Sequence, residues 1–566
     1  MKLNKKKIKK KKKLKLIKGF IVDQEENYQL NVINHMRQGI RNFAKQEIIT
    51  RKDDGNLFRY TYYDAYERMK RLANALQSIG IKIGDRVGVL AWNHHQHFEI
   101  YYGLPGMGAV MVSLNLNLIP EELAYVINHS DAKYIIVDEN LIHVAESIAP
   151  LCETIEGYII ITDNHLSDLN TKLKPIFSYE KILAKSSPLF KWPYLDENSS
   201  YAACYTTGTT GKPKGVYYSH REVYIHTLMF TAKFSISVDD VTFQMVPMFH
   251  VLGWSIPQAS AYAGAKIIFS GKWNLPDLKE ITYLMVKEKV TISAAVPTVL
   301  MAMYEIIRKL DEKPDLTGAR FLCGGSEPPI TLMRGFWDES GGEIVHTYGS
   351  TEGLAIVTLN YFKPWLKKEL SEEALWDLKK KQGTINSGID IKIVDEEGNE
   401  LPHDGISSGE ILLRGPWITR TYYNSNRTKD SFTKDGFFRT GDAGCIDSEG
   451  YLKITDRIKD VIKSGGEWIS SIDMENILMT HAGILEAAVV GIYHPKWEER
   501  PLALVVLRES FEHIDENEVH QYLAKSFAKW QLPDKIIFVD SIPRTSVGKL
   551  NKKLMRMDYK DIYNER

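Results

Sequence analysis

The sequence predicts an α/β protein, with a large N-terminal domain of βα-layered sheets and a small antiparallel module, followed by a small α+β C-terminal domain. Three observations carry this reading. Short apolar runs of strand length alternate with helical apolar spacing through the first part of the chain, the pattern of βαβ units and a mainly parallel sheet. After about residue 385 the texture becomes polar–apolar alternation broken by turns, which fits an antiparallel module. Beyond Lys459 a fresh set of helices and strands begins. At 566 residues the chain is long enough for more than one domain.

The elements follow in order. Tyr62 to Ser78 has helical spacing and stops before Gly80, a residue suited to the end of a helix. Arg86 to Trp92, Ala109 to Ser113 and Lys133 to Val137 read as buried strands, with a helix around Glu121 to Asn128. Further strands are expected at Lys266 to Phe269, Thr291 to Ala295 and Glu343 to His346. Asp390 to Asp395 and Glu410 to Gly415 belong to the antiparallel module. The last unit should hold a helix near Ile472 to Met479, strands at Glu486 to Ile492 and Ala503 to Leu507, and a helix over Glu516 to Lys529. The boundaries read as a tail over residues 1–20, a large domain over 21–456 and a small domain over 457–566.

Composition is that of an ordinary globular protein, 44% hydrophobic and 25% charged. The four cysteines are scattered without a Cys-x-x-Cys pair, so the expected setting is a reducing cytoplasm. No apolar run approaches the roughly 18 residues of a membrane span. A zero net charge conceals an asymmetry: residues 1–18 hold eleven lysines and no acid, leaving 61 basic against 72 acidic residues in the rest. This run lacks the h-region of a signal peptide. It fits a solvated tail or a peripheral contact with anionic lipid, and nothing else in the chain points to nucleic acid.

The chemistry concentrates in Tyr205 to Gly215, Tyr-Thr-Thr-Gly-Thr-Thr-Gly-Lys-Pro-Lys-Gly. Glycines let successive N–H groups face one concavity, while the hydroxyls add donors and the lysines add charge: chemistry for a polyphosphate. Pro213 after Lys212 excludes the Walker loop, which requires Ser or Thr there. A second cluster, His346 to Gly353, follows a strand, and its Glu352 is a hard oxygen ligand suited to Mg²⁺. Both clusters sit where ligands bind in such sheets, beyond the carboxyl ends of strands.

The first cluster matches, at every position, the phosphate loop of the adenylate-forming enzymes, a superfamily of acyl-CoA synthetases, luciferases and peptide-synthetase adenylation domains. Tyr348-Gly-Ser-Thr-Glu352, Thr440-Gly-Asp442, the stretch Thr455 to Ser470, and Pro543-Arg-Thr-Ser-Val-Gly-Lys549 follow in family order. The chain resembles this superfamily over roughly residues 30–560. The resemblance implies a fold with a mobile C-terminal domain and an ATP site. In it Thr206, Thr207, Gly208, Thr209, Thr210, Gly211 and Lys214 grip phosphates, and Ser326, His346, Thr347, Tyr348 and Thr351 add nucleotide contacts. Asp442 would hold the ribose hydroxyls, and Thr206 and Glu352 would hold Mg²⁺.

The resemblance further implies a hinge at Lys459 after Arg457, and a pantetheine path past Lys463 and Gly465. Trp468 stands where many relatives carry Asn or Arg. Lys549 would bridge the substrate carboxylate and the α-phosphate, so Lys549, His250, Glu352 and Arg457 are the expected catalytic set. His250, Val251, Trp254 and Gly349 would meet the acid. Where amino-acid-activating relatives carry an Asp after Phe249, His250 stands here, so no counter-ion for an α-amino group is evident. The expected activity is ATP-dependent conversion of a carboxylic acid to an acyl-adenylate and then to its CoA thioester. A medium- to long-chain fatty acid is favoured by the apolar run Leu354 to Val357. An aryl or short branched acid, and delivery to a carrier protein instead of CoA, remain open. Some relatives are dimers, so a homodimer is a further expectation.

Overall fold

Seven-stranded sheets form twice in the large N-terminal region. The first runs, by strand, Glu343–His346, Arg320–Cys323, Ile292–Ala295, Val241–Gln244, Lys266–Phe269, Glu47–Arg51 and Leu57–Thr61, parallel except for the last pair. The second runs Ile176–Ser178, Gly157–Ile161, Ala132–Asp138, Arg86–Leu90, Val110–Ser113, Ser200–Thr206 and Lys214–Ser219, again with only the last pair antiparallel. Ile135, Ile136, Ile268 and Phe269 are fully buried, as strands covered on both faces must be. The computed structural model describes residues 28–206, 212–465, 467–508, 511, 514–544 and 550–563. The lysine-rich stretch 1–20, Thr207 to Gly211, Lys549 and the side chain of Trp468 lie outside these.

Helices fill the crossovers. Tyr62–Ser78 begins with Thr61, whose hydroxyl accepts from the Asp64 amide while the Asp64 carboxylate takes the Thr61 amide. It ends before Gly80, whose φ of +100° a side chain would resist. Buried Ala65, Met69, Leu72 and Leu76 share its inward face.

The antiparallel module is a six-stranded sheet, Thr358–Leu359, Gly383–Ile385, Tyr451–Arg457, Phe438–Ile446, Gly409–Arg414 and Asp390–Val394. Its strand Tyr451–Arg457 leads through a short turn to Ile462–Ser464, which opens the fourth sheet. There the long hairpin Ile484–His494 and Glu498–Leu507 carries separate apolar clusters on its two faces. The helix expected over Glu516 to Lys529 is shorter, Glu516–Leu523. Ser526 and Phe527 both turn their amides back to the Leu523 carbonyl, and Phe527 packs on the core instead of extending the helix. Among the described residues no helix is long and apolar enough to cross a membrane, and all four cysteines are free.

Candidate active site

Carboxyl ends of strands from both seven-stranded sheets converge on one cleft. Ser113 and Cys204 come from the second sheet, while Phe249, His250 and Thr351 come from loops that follow strands of the first. The cleft is tight, with free volume of about 10 Å³, room for about one water. Thr206 ends its strand here, paired antiparallel with Lys214 at the start of the next strand. Thr206 Oγ1 is buried without a hydrogen-bond partner among the described residues, an oxygen suited to a phosphate or metal ion.

The two carboxyl-bearing motifs and the phosphate hairpin meet through tyrosines. Tyr348 donates its hydroxyl to Asp442 Oδ2 at 2.7 Å, and Arg457 Nε lies 3.4 Å from Asp442 Oδ1. Asp442 holds the Arg457 guanidinium above its usual range, and burial followed by Asp442 raises the Tyr348 phenol well above its own. Tyr422 donates to Glu352 Oε1 at 2.6 Å, and Lys214 Nζ sits 4.0 Å above the Tyr422 ring. Tyr218 completes the link by donating to the Thr351 carbonyl at 2.6 Å. The phosphate hairpin, Glu352 and Asp442 are therefore parts of one assembly. Glu352 and the orphan Thr206 hydroxyl are hard oxygen donors of the kind that hold Mg²⁺ alongside substrate phosphates. No group of three or more His, Cys, Asp or Glu residues arranged for a metal occurs among the described residues.

At two of the expected nucleotide contacts the side chain is bonded within the protein. His346 is 2% exposed and its Nδ1 donates to the Lys380 carbonyl at 2.8 Å; burial lowers its pKa to about 4, leaving a neutral packing group. Thr347 spends its hydroxyl on the Thr358 carbonyl at 2.6 Å. Both side chains hold the turn in place. Gly349 has a steric reason for its identity: a Cβ would stand 1.3 Å from the Ala355 carbonyl oxygen. Gly349→Ala should therefore lower stability by about 1–3 kcal/mol, read as a lower urea midpoint at unchanged slope. Ser326 is exposed in the loop after the strand Arg320–Cys323.

His250 is half-buried and precedes an unusual turn. Val251, Leu252, Gly253, Trp254 and Ser255 all have positive φ, from 34° to 61°. A left-handed run costs each non-glycine residue roughly 1–2 kcal/mol, so neighbours must hold it. Asn93, from the second sheet, donates Nδ2 to the Gln244, Met245 and Val246 carbonyls and accepts from the Met248 amide at 2.8 Å. Gln244 donates to the Gly253 carbonyl, and Ser255 Oγ lies 3.0 Å from His226 Nδ1. Trp254 is buried in an apolar cluster with Val345 and Ile356, beside Ala355. Asn93, Gln244, His226 and Tyr422 escape the sequence reading because no motif marks them; a buried Asn or Gln at a strand end was the available signal.

Past the strand Tyr451–Arg457, burial and then Arg457 lower the pKa of Lys459. Gly465 takes φ +60°, donates to the Trp497 carbonyl at 2.9 Å, and has Trp497 3.1 Å from where a Cβ would stand. Lys463 Nζ is 3.6 Å from Glu396.

Comparison with known proteins agrees with this architecture. Residues 38–423 match the AMP-binding enzyme family, and residues 473–549 match the AMP-binding enzyme C-terminal domain. A long-chain-fatty-acid–CoA ligase of Thermus thermophilus is 40% identical over 94% of this chain and 96% of its own length. A 3-methylmercaptopropionyl-CoA ligase of Ruegeria lacuscaerulensis is 36% identical over 92% and 96%. ATP-bound MatB from Rhodopseudomonas palustris superposes with a TM-score of 0.81 at 27% identity, covering 94% of this chain and all of that one. Its apo form gives 0.71 at 26%, with the same coverage. The chain belongs to the AMP-binding enzyme family.

Proposed function

We propose that the protein is an AMP-forming acid–CoA ligase acting on a medium- to long-chain fatty acid. The observation that carries this is the joining of Asp442, Glu352 and the phosphate hairpin through Tyr348, Tyr422 and Lys214. A carboxylate resists nucleophiles because it is anionic and its oxygen leaves poorly. ATP overcomes this by giving an acyl-adenylate and pyrophosphate, after which the CoA thiol displaces AMP. Asp442 would accept from the ribose hydroxyls in charge-assisted hydrogen bonds. Lys214, the 206–211 loop and Lys549 would neutralise the charge that builds as carboxylate meets phosphate. Bound at Glu352 and Thr206, Mg²⁺ would supply further neutralisation. His250 would orient the acid carboxylate at the cleft, with the turn through Trp254 behind it.

Arg457 reaches Asp442 from the start of the small domain, and rotation of that domain about a hinge at Lys459 would exchange the two steps. The closer superposition on the ATP-bound than on the apo relative supports this orientation as the one for the ATP step. The fatty-acid reading draws support from the Thermus relative and from the apolar surroundings of Trp254. An aryl or short branched acid is the competing substrate, and the Ruegeria relative supports a short one.

AMP release measured across fatty acids of graded length, short branched acids and aryl acids, with and without CoA, separates these readings. The expected result is CoA-dependent release peaking at medium or long chains. A maximum on short or aryl acids overturns the fatty-acid reading, and release that ignores CoA overturns the ligase reading.

A further inference from the structure

One carboxylate joins the large domain to the small one. Glu327 follows Ser326 in the loop after Arg320–Cys323, and its Oε1 accepts from Asn476 Nδ2 at 2.6 Å. Asn476 lies on the helix Ser471–Met479 of the small domain. Gln382 donates Nε2 to Glu327 Oε2 at 3.1 Å and accepts from the Ile454 amide at 2.7 Å. The same carboxylate therefore ties the nucleotide-side loop, the antiparallel sheet and the small-domain helix. A salt bridge from Lys453 to Asp473, 3.1 Å, runs beside it, and Arg508 pairs with Glu305 at 3.1 Å elsewhere across this boundary.

Neither Glu327 nor Asn476 has a part in the chemistry outlined above, yet the contact costs desolvation of an ionisable group. Such a cost is sustained when the hydrogen bonds formed are good ones. We propose that Glu327 and Asn476 are positioning residues that hold the small domain over the nucleotide loop, so that the ATP-consuming step depends on their contact and the CoA-consuming step does not. This rests on the ligase reading above. It adds to that reading a specific device that selects between the two orientations of the small domain.

The device is also coupled to protons. Residue 327 is partly exposed, but its carboxyl is enclosed; burial, then Asp473 on the docked helix, pushes its pKa up to about 7, opposed by Gln382, Lys453 and Lys380. When the helix leaves, its share of that burial and the Asp473 charge leave too, and the carboxyl returns toward its ordinary value. The docked state thus binds the proton more tightly. Docking is strongest below the ordinary carboxylate range and weakens as pH rises toward and through 7.

The test uses the full chain. With Asn476→Ala, ATP–pyrophosphate exchange should fall about tenfold while pre-formed acyl-adenylate plus CoA stays within about twofold of the parent, as expected for loss of a hydrogen bond to a carboxylate in one orientation only. Tryptic cleavage at the hinge, at Lys459 or Lys463, should speed up in the same variant. In the parent that cleavage, taken relative to tryptic cleavage of an unstructured peptide at the same pH, should be slower at about pH 6 than at about pH 8, and Glu327→Gln should remove the difference. Equal loss of both half-reactions, or hinge cleavage indifferent to both substitutions and to pH, overturns the proposal. If the parent exchanges pyrophosphate with no acid at all, the ligase reading fails, and the cleavage rates still decide whether the contact holds the domain.

Discussion

Replacing Lys549 by Ala should abolish the first half-reaction and spare the second. ATP–pyrophosphate exchange is expected to fall by about 10²–10³-fold, the usual effect of removing one preorganised group that meets developing charge. Pre-formed acyl-adenylate and CoA should still give thioester, because the carboxylate–phosphate encounter has then already passed. The structure fixes the residues on either side of it. Arg544 and Leu550 pair across the base of its loop, the Asn551 amide bonds the Pro543 carbonyl at 2.8 Å, and Lys552 binds Glu475 at 2.8 Å. The loop is therefore pinned at both ends on the small domain. Equal loss of both half-reactions would sink the assignment.

Asp442→Ala should instead damage both steps, since adenosine is held through each. Two charge-assisted bonds to ribose hydroxyls at about 1.5 kcal/mol each amount to about a 10²-fold rise in the KM for ATP. The variant would also release Tyr348 and deprive Arg457 of its counter-ion, so the adenylate-plus-CoA reaction should slow as well. Unchanged affinity for ATP, measured by calorimetry, would remove Asp442 from the ribose site.

Much of this was legible in the chain. The helix Tyr62–Ser78 and the strands Lys266–Phe269 and Glu343–His346 fall where local pattern puts them, because cap, periodicity and burial agree there. The division of the parallel strands into two sheets was not legible: strand order depends on pairings between distant segments, such as Ile48 with Ile267. The helix at Glu516 stops early because Phe527 finds a place in the core, a tertiary preference that local propensity does not encode. In the site, the motif residues carry their own signal, but the partners that aim them do not. Tyr422 lies 70 positions from Glu352 and Asn93 lies 155 from Met248. His346 and Thr347 show the converse, since motif membership marks them while their side chains serve the turn.

The left-handed turn through Trp254 has a consequence for engineering. Its shape is not stored in its own sequence alone, because Asn93 holds the preceding segment from the opposite sheet and Gln244 holds Gly253 from the strand before it. Transplanting the segment 247–256 from a relative with another acid preference would separate the loop from its supports. A working chimera should carry residues 93, 226 and 244 along with the loop, as one discontinuous cassette. Grafts of the loop by itself should relax to a right-handed backbone and lose acid selectivity before they lose ATP binding.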